Sequence, residues 1–450
     1  MNRRDFLVST AAGASSFAAL QANAFAAANE RPLRVALIGC GWYGKTDLFH
    51  LMQVAPVDVV ALCDVDSQAA ANAAELVAQR QTSKKKPPLY GDFRKLLAEH
   101  QPEIAIIGTP DHWHALPMIE ACRAGADVYV QKPISLDVVE GQAMVAAARK
   151  YGRTVQVGLQ RRSTPHLLEA RDRIIREGKL GKVAYVDIHS YFGGPGDFPP
   201  QEKPPAHLDW ETYVGPAPWL DFHPGIHPRS WRDFRSFSNG QMGDLCVHFF
   251  DTVRYFLDLG WPDRISGVGG VLVRGKSSIA DIPDTQSVTF DYPETKIVWT
   301  QRNWGENPDP KYAWGATLYG DKGTLKLSVE TYDFTPKGQG QPVHGEYLDE
   351  RDQYPADVQH QETEPYAAPA TRRHMQDFLA ARREKRKPVS DIEEGFISSA
   401  SCIMGNLATD LGRTLPWDAA AGRVTGDDEA NERLTRPYRG SWEHPTPDNV

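Results

Sequence analysis

The chain has 450 residues, of which 41% are hydrophobic and 24% are charged, a balance typical of a globular protein long enough for two domains with their own cores. The formal net charge is −8, and the one basic block is Lys84-Lys85-Lys86, so we expect no nucleic acid partner. No apolar run is long enough for a membrane-spanning helix, so we expect no membrane span.

The first residues predict an export signal. Arg3 and Arg4 precede a small-residue apolar stretch over residues 8–20, and Ala-Asn-Ala at residues 22–24 is an A-x-A cleavage motif. These three features together are typical of a twin-arginine signal peptide. We therefore expect residues 1–28 to be recognised by the twin-arginine translocation machinery, and the protein to be periplasmic or otherwise exported.

The five cysteines are scattered, odd in number and without a C-x-x-C pair, so we predict isolated buried thiols. The twin-arginine route carries chains that have already folded in the reducing cytoplasm, so export and free thiols are compatible. These residues are Cys40, Cys63, Cys122, Cys246 and Cys402.

A glycine-rich loop follows the first apolar run. Residues 35–38 predict a buried strand, and residues 39–44 form a G-x-G-x-x-G before a helical segment. In a dinucleotide-binding unit, Gly39 allows the tight turn, Gly41 lets the backbone approach a pyrophosphate, and Gly44 lets helix and strand pack closely. The helix N-terminus favours the phosphate charge. The predicted cofactor-binding residues of this loop are Gly39, Gly41, Trp42, Tyr43 and Gly44.

Asp64 predicts which cofactor the loop holds. It ends the second apolar run, residues 57–63, and follows Gly44 by twenty residues. A carboxylate at this position accepts hydrogen bonds from the adenosine ribose hydroxyls. It would repel a 2′-phosphate, and no arginine or lysine follows in residues 65–67. NAD is therefore predicted over NADP.

Strand-like runs at residues 104–107, 127–130 and 154–157 alternate with helical patterns. This alternation predicts a doubly wound parallel sheet, a Rossmann domain, over residues 31–158. Ligands gather at the carboxyl ends of the strands of such sheets. The further predicted cofactor-binding residues at those ends are Thr109, Pro110, His114, Gln131, Lys132 and Gln160.

Residues 159–432 predict an α+β domain with a large, mostly antiparallel open sheet, because short strand-like runs follow one another across short turns. Residues 192–238 are rich in Pro, Gly, Trp and His without periodicity, which favours a functional lid. Residues 433–450 form a C-terminal tail rich in proline and charge. The predicted fold class is therefore α/β, with a Rossmann domain followed by this α+β domain. The strand-like runs are residues 183–189, 268–273, 287–290, 297–300, 317–319 and 324–329.

Asp244 and His248 are the strongest candidates for acid–base chemistry. They lie four residues apart in a predicted helix, residues 242–259, so they share one face and can touch. A carboxylate beside an imidazole fixes its tautomer and stabilises its protonated form, which suits a base that removes an alcohol proton. Taken alone, the pair equally suits a capped helix start with a satisfied structural histidine.

Other polar residues predict a substrate pocket. Arg161 follows the last strand of the first domain and could reach the nicotinamide or the substrate, or belong to a surface cluster. Tryptophan faces stack on sugar rings, and arginine and histidine bind their hydroxyls. The predicted substrate-binding residues are Arg161, His223, His227, Trp231 and Arg232.

A metal site built from His223, His227, Asp244 and His248 is a weaker interpretation. Proline and glycine at positions 224 and 225 interrupt the first histidine spacing, so we expect no metal.

Four motifs give the chain its resemblance to the Gfo/Idh/MocA oxidoreductase family, which includes glucose–fructose oxidoreductase and inositol dehydrogenase. The motifs are the glycine loop at residues 39–44, Thr109-Pro110-x-x-x-His114, Lys132-Pro133 and Asp244-x-x-x-His248.

The resemblance implies a role for each catalytic residue. Lys132 would orient and polarise the substrate hydroxyl, His248 would take its proton, and Asp244 would support both. The chain departs from the family's Glu-Lys-Pro at Gln131, which alters the charge around Lys132. The resemblance also implies a homodimer or homotetramer.

Export adds a requirement, because free nicotinamide cofactor is not expected outside the cytoplasm. The protein must then carry its NAD, with a roughly nanomolar Kd, which corresponds to a binding free energy of about 12 kcal/mol. The favoured function is an oxidoreductase acting on a CH–OH group of a small-molecule sugar, polyol or sugar derivative.

Two alternatives remain open. One is an NAD-retaining glycosidase that works by oxidation, elimination, hydration and reduction, with His223 or His227 as the extra acid or base. The other is a non-catalytic sugar-binding or assembly protein, which the retained Lys132, Asp244 and His248 disfavour.

Overall fold

The computed structural model of the protein describes residues 31–193, 198–274, 278–359 and 366–450. The predicted signal peptide, residues 1–28, lies outside them. The described residues form one six-stranded sheet and one ten-stranded sheet, each covered by helices. None of the described helices combines the length and the apolar character needed to cross a bilayer.

The first sheet confirms the predicted Rossmann fold. All its strands are parallel, in the order β3-β2-β1-β4-β5-β6, which is the order of dinucleotide-binding domains. Every residue of the central strand Ile104–Ile107 is fully buried, because helices cover both faces. The strands are β1 Leu33–Ile38, β2 Val57–Cys63, β3 Leu89–Tyr90, β4 Ile104–Ile107, β5 Asp127–Val130 and β6 Val155–Val157.

Three of the five helices that connect these strands begin at acidic caps. Asp66 accepts hydrogen bonds from the backbone of Gln68 and Ala69, and Asp137 forms a capping box with Glu140. These caps satisfy backbone donors that would otherwise lack partners. The helices are α1 Trp42–Val54, α2 Ser67–Arg80, α3 Phe93–His100, α4 Ala115–Arg123 and α5 Val138–Lys150.

The second sheet confirms the predicted mostly antiparallel architecture. Its order is β14-β13-β12-β11-β7-β10-β9-β8-β15-β16, and the β7–β10 pairing is parallel while the other pairs are antiparallel. The strands are β7 Val183–Ser190, β8 Arg264–Gly270, β9 Thr285–Asp291, β10 Lys296–Arg302, β11 Trp314–Gly320, β12 Gly323–Ser328, β13 Thr331–Pro336, β14 Val343–Glu346, β15 Leu415–Asp418 and β16 Arg423–Val424.

Sequence patterns were less reliable at the edges of this sheet. The run predicted at residues 268–273 is instead strand β8, Arg264–Gly270, because three glycines interrupt its alternation. Strands β13 to β16 were not predicted. They lie at the two ends of the sheet, and three of them have four residues or fewer, too few for a period of two to emerge.

Helix α11 lies between the two sheets. It is buried over most of its length and contacts strand β8 on one side and helix α5 on the other. The helices of this half are α6 Pro165–Ala170, α7 Trp210–Val214, α8 Val247–Leu257, α9 Ala356–Gln359, α10 Ala368–Glu384, α11 Ile392–Leu411 and α12 Asp428–Glu432.

The C-terminal residues 433–450 lie against the first domain. The carbonyl of Leu434 accepts hydrogen bonds from the first residues of helix α5, and Tyr438 Oη donates to Glu140 Oε1 at 2.6 Å. The Trp442 ring packs edge-on against Trp113, with centroids 5.0 Å apart. Elsewhere, all five cysteines are buried and free of disulfides, as predicted.

A buried ion pair joins the two halves of the chain. Arg162, just after β6, donates two hydrogen bonds of 2.8 Å to the carboxylate of Asp251 in helix α8, and Ser398 of helix α11 donates to the same group. Asp251 is fully buried. Removing one partner of such a pair leaves a buried charge uncompensated.

We expect Asp251→Ala to lower the free energy of unfolding by about 3–5 kcal/mol, because it leaves the buried Arg162 with only the partly exposed Glu394 as a counter-ion. Asp172→Ala, which breaks the exposed pair with Arg176, should cost no more than about 1 kcal/mol. Urea denaturation of both variants measures the difference. Equal losses of unfolding free energy in the two variants would show that the buried pair stabilises the fold no more than the exposed pair does.

Candidate active site

A cavity of about 1230 Å³ opens where strands β1, β2, β4 and β5 end and continues to the start of helix α8. This is the point where the strand order of the first sheet reverses, the usual ligand site in such folds. The predicted site residues that line it are Gly39, Gly41, Trp42, Tyr43, Asp64, Thr109, Pro110, His114, Gln131, Lys132, Arg161, His227, Trp231, Arg232, Asp244 and His248.

The glycine loop fits a pyrophosphate. Gly39 has φ +91°, a conformation that favours glycine. A Cβ on Gly44 would lie 2.1 Å from the Gly39 carbonyl oxygen, so helix and strand touch there. A Cβ on Gly41, in contrast, would meet nothing within 4 Å. The N-terminus of helix α1 at Gly41 therefore faces the open cavity, where it can bind phosphate groups.

Asp64 is held rigidly beside this loop. Its Oδ2 accepts from the backbone N of Cys40 at 2.7 Å, and its Oδ1 accepts from that of Asp66 at 2.8 Å. Burial raises the pKa of the Asp64 carboxyl, and the two backbone donors oppose that rise. The carboxyl thus lies at the cavity wall in a fixed orientation, where ribose hydroxyls would bind.

Lys132 and Asp244 form the charged centre of the cavity. Lys132 Nζ donates to Asp244 Oδ1 at 2.6 Å and to the Asp244 carbonyl at 2.9 Å, and Arg232 Nε lies 3.2 Å from Oδ2. Burial acts to raise the pKa of Asp244, but the charges of Lys132 and Arg232 outweigh it and lower that pKa. The carboxylate therefore stays ionised and fixes the lysine ammonium.

His248 lines the same cavity as a neutral imidazole. Burial, together with the charges of Lys132 and Arg161, lowers its pKa well below the ordinary value. Its ring packs edge-on against Trp314 at 5.5 Å, and its buried Nδ1 has no hydrogen-bond partner among the described residues. A neutral imidazole can accept a proton.

Asp244 acts on His248 through its charge, which tends to raise the pKa of the ring, but the two side chains form no hydrogen bond. Asp244 lies in a wider, π-helical turn, Met242–Cys246, which precedes helix α8. That turn breaks the regular alignment of residues four apart, and the carboxylate pairs with Lys132 and Arg232 instead. The imidazole of His248 is held by burial and by Trp314.

Gln131 contacts a carboxyl group supplied by another element. Its Nε2 donates to Asp47 Oδ2 at 2.6 Å, and its Oε1 accepts from the Lys132 backbone at 3.3 Å. Burial raises the pKa of Asp47 to about 8. Although position 131 lacks a carboxyl group, helix α1 therefore places one next to it.

His114 joins two of the loops at the strand ends. Its Nδ1 lies 2.7 Å from the Pro133 carbonyl oxygen and its Nε2 lies 2.9 Å from that of Thr109. Burial lowers the pKa of the His114 ring to about 4. His114 thus holds the loop of Lys132 against the loop of Thr109.

Three predicted residues lie off the cavity wall. Gly44 packs against the turn at Gly39. Gln160 does not line the cavity itself, but its Nε2 donates to Tyr43 Oη at 2.6 Å. His223 Nδ1 lies 2.9 Å from the Pro199 carbonyl, away from the cavity. His223 and Asp244, two of the four residues weighed as metal ligands, therefore bind separate partners.

The irregular stretch covers the cavity. Part of it, residues 198–238, forms its own apolar cluster around Trp210, Tyr213 and Phe237. His207 Nδ1 and His227 Nε2 lie 3.0 and 2.9 Å from the two carboxylate oxygens of Asp66. Asp66 therefore fastens this segment over the end of strand β2.

Sequence reasoning missed several residues of the cavity wall. Asp66 had a weak signal in the Asp-x-Asp at residues 64–66, and Asp111 had one in its place in the loop that follows strand β4, whereas the others had none. Burial raises the pKa of Asp111, which faces Lys132 and Arg232, to about 7. The missed residues are Asp66, Asp111, His207, Trp314 and Trp442.

Two glycine variants separate cofactor binding from folding. Gly41→Ala should leave the melting temperature unchanged but weaken NAD binding at least about tenfold, because its methyl group occupies the pyrophosphate space. Gly44→Ala should destabilise the fold, since its methyl group collides with the Gly39 backbone. Thermal unfolding and NAD titration test both, and unchanged NAD affinity in Gly41→Ala would refute the assigned phosphate site.

Comparison with known proteins matches both halves of the chain to oxidoreductases. Residues 33–159 match a family described as "Oxidoreductase family, NAD-binding Rossmann fold". Residues 173–413 match one described as "Oxidoreductase family, C-terminal alpha/beta domain". The first range contains every strand of the first sheet, and the second contains strands β7 to β14 of the second sheet.

Individual relatives are more distant. An uncharacterized oxidoreductase of Streptococcus pneumoniae is 22% identical over 312 residues, 69% of this chain and 72% of the relative. The 2,7-anhydro-N-acetylneuraminate hydratase of Mediterraneibacter gnavus is 23% identical over 313 residues, 69% of this chain and 71% of the relative. The structure of aldose-aldose oxidoreductase from Caulobacter crescentus has a TM-score of 0.63 at 18% identity, covering 86% of this chain and 100% of that one, and shows the same fold.

Proposed function

Because this chain belongs to the Gfo/Idh/MocA oxidoreductase family, we propose that it acts on a CH–OH group of a sugar, polyol or sugar derivative with NAD as cofactor. One observation carries the proposal: Lys132 and His248 line the cavity into which the glycine loop opens. The two residues proposed to handle the substrate proton and the loop proposed to hold the dinucleotide therefore line the same cavity.

The cofactor would be held by the residues of the first sheet. The open space at Gly41 and the start of helix α1 fit the pyrophosphate, and Asp64 fits the adenosine ribose. The Asp64 carboxylate favours NAD over NADP, because a 2′-phosphate would be repelled. NAD bound there supplies the hydride acceptor or donor for the substrate carbon.

The residues of this chain would handle the substrate proton. Lys132, fixed by Asp244, donates a hydrogen bond to the carbinol oxygen and stabilises negative charge that develops on it. His248, neutral in the free protein, takes the hydroxyl proton as oxidation proceeds. Asp244 stays ionised and keeps Lys132 oriented.

The pH dependence follows from His248. A base must be deprotonated, and burial with neighbouring cations lowers the pKa of this imidazole below 6.5. The acid limb of the kcat/KM profile should therefore lie below pH 6.5, with activity retained through neutrality. Steady-state kinetics across pH measures it, and an acid limb above that value would contradict the assignment.

Two variants test the catalytic roles. His248→Asn and Lys132→Met should each slow turnover by about 10²- to 10⁴-fold while NAD binding persists. His344→Asn and Lys182→Met, at exposed positions, serve as matched controls and should leave the rate unchanged. Wild-type turnover in either site variant would remove that residue from the mechanism.

We also propose export by the twin-arginine route, tight retention of the cofactor and assembly as a homodimer or homotetramer. The predicted signal supports export, and export requires retained NAD. Heating the purified mature protein and scanning the supernatant for adenine and reduced nicotinamide absorbance tests retention. A nucleotide-free protein that also fails to bind added NAD would leave only a non-catalytic sugar-binding or assembly role.

A specific observation favours keeping the glycosidase alternative. That reaction needs a further acid or base, and Asp111, with a pKa raised by burial to about 7, lines the cavity beside Lys132. His227 also lines the cavity but contacts Asp66, and His223 lies outside it. Phenol release from aryl glycosides without net NADH would identify the glycosidase, and net NADH from a free sugar would identify the oxidoreductase.

A further inference from the structure

Arg161 carries a buried charge for which the described residues supply no counter-ion. Its side chain lines the cavity with a relative exposure of 3%. Its Nε and Nη1 are buried without a hydrogen-bond partner, and no carboxylate in the described parts of the chain forms an ion pair with it. The next residue, Arg162, is also buried but is fully paired with Asp251.

Burial of these two nitrogens is unfavourable, because they have lost their water and gained no hydrogen bond. The ring of Trp314, whose centroid lies 5.7 Å from the guanidinium carbon, offers only partial compensation through a cation–π contact. That ring also fixes the orientation of the arginine. Arg161 is therefore positioned to bind something that enters the cavity.

The neighbouring charges do not offset Arg161. Lys132 and Arg232 already share the carboxylate of Asp244. Burial raises the pKa of Asp111 to about 7, so that carboxyl is only partly ionised at neutral pH. His248 is neutral. The end of the cavity near helix α8 thus carries excess positive charge, and an anionic ligand group would balance it.

We propose that Arg161 binds the carboxylate of an acidic sugar, so that the substrate of this site is a uronate or another sugar acid. The proposal rests on the proposed function and specifies its substrate class. The planar guanidinium fork matches a carboxylate with two parallel hydrogen bonds. Lys132 and His248 in the same cavity would then act on a hydroxyl of that sugar.

Binding to the mature holoenzyme tests the proposal without requiring turnover. The probes are D-glucuronate, D-galacturonate and D-gluconate, compared with D-glucose, D-galactose and D-glucitol, with D-glucose 6-phosphate as a separate arm. We expect at least one acid to bind about 10- to 100-fold tighter than its neutral counterpart, because a charged hydrogen-bond pair is gained. Titration calorimetry measures the affinities.

Substitutions identify the responsible residue. Arg161→Met should abolish the preference for the acid, and Arg161→Lys should retain part of it, because charge remains without the planar fork. Arg264→Met removes an exposed arginine outside the cavity and should change nothing. Arg161→Met should also move the acid limb of the pH–rate profile upward, since the Arg161 charge helps to lower the pKa of His248.

Three outcomes would overturn the inference. The first is that no acid in the panel shows Arg161-dependent binding. The second is tighter binding of glucose 6-phosphate than of every sugar acid. The third is an Arg161→Met variant that loses NAD but keeps the acid preference, which would assign Arg161 to the cofactor. Arg161-dependent acid binding without oxidation of any sugar would contradict the proposed function and leave the anion site intact.

Discussion

The contact between Lys132 and Asp244 is the interaction on which the rest of the site depends. The lysine follows strand β5 of the first sheet, whereas the aspartate lies in the turn before helix α8 of the second half. Their 2.6 Å ion pair spans the boundary between the two halves and sets where the ammonium points. Without this ion pair, the Lys132 ammonium would not be held in a fixed position between the glycine loop and His248.

Deeper in the protein, a second ion pair supports the first. Arg162 and Asp251 are buried and join the end of strand β6 to helix α8, one residue and three residues respectively from Arg161 and His248. The two adjacent arginines thus have different roles. Arg162 links strand β6 to helix α8, and we assign Arg161 to the binding of a ligand. The same frame fixes His248, whose low pKa follows from burial and from the cations around it.

The positions of site residues that are close to one another in sequence could be predicted well. The turn at Gly39, the open position at Gly41 and the carboxylate at Asp64 follow from one strand-loop-helix-strand unit whose geometry is nearly invariant. Lys132 could be placed because the ends of parallel strands meet at one edge. Asp244 and His248 line one cavity, but the carboxylate hydrogen-bonds to Lys132 and not to the imidazole, since a four-residue spacing gives no sign of the wider helical turn.

By itself, the sequence determined the parallel Rossmann sheet, its glycine loop and most of the side chains that line the cavity, because short-range periodicity and strand-end position encode them. Only the tertiary structure decided which of those side chains touch. Asp66 meets two histidines more than a hundred residues away, Gln131 meets Asp47, and Arg161 forms no ion pair with any carboxylate in the described part of the chain. Such pairings depend on how separate elements pack, and local sequence patterns do not indicate them.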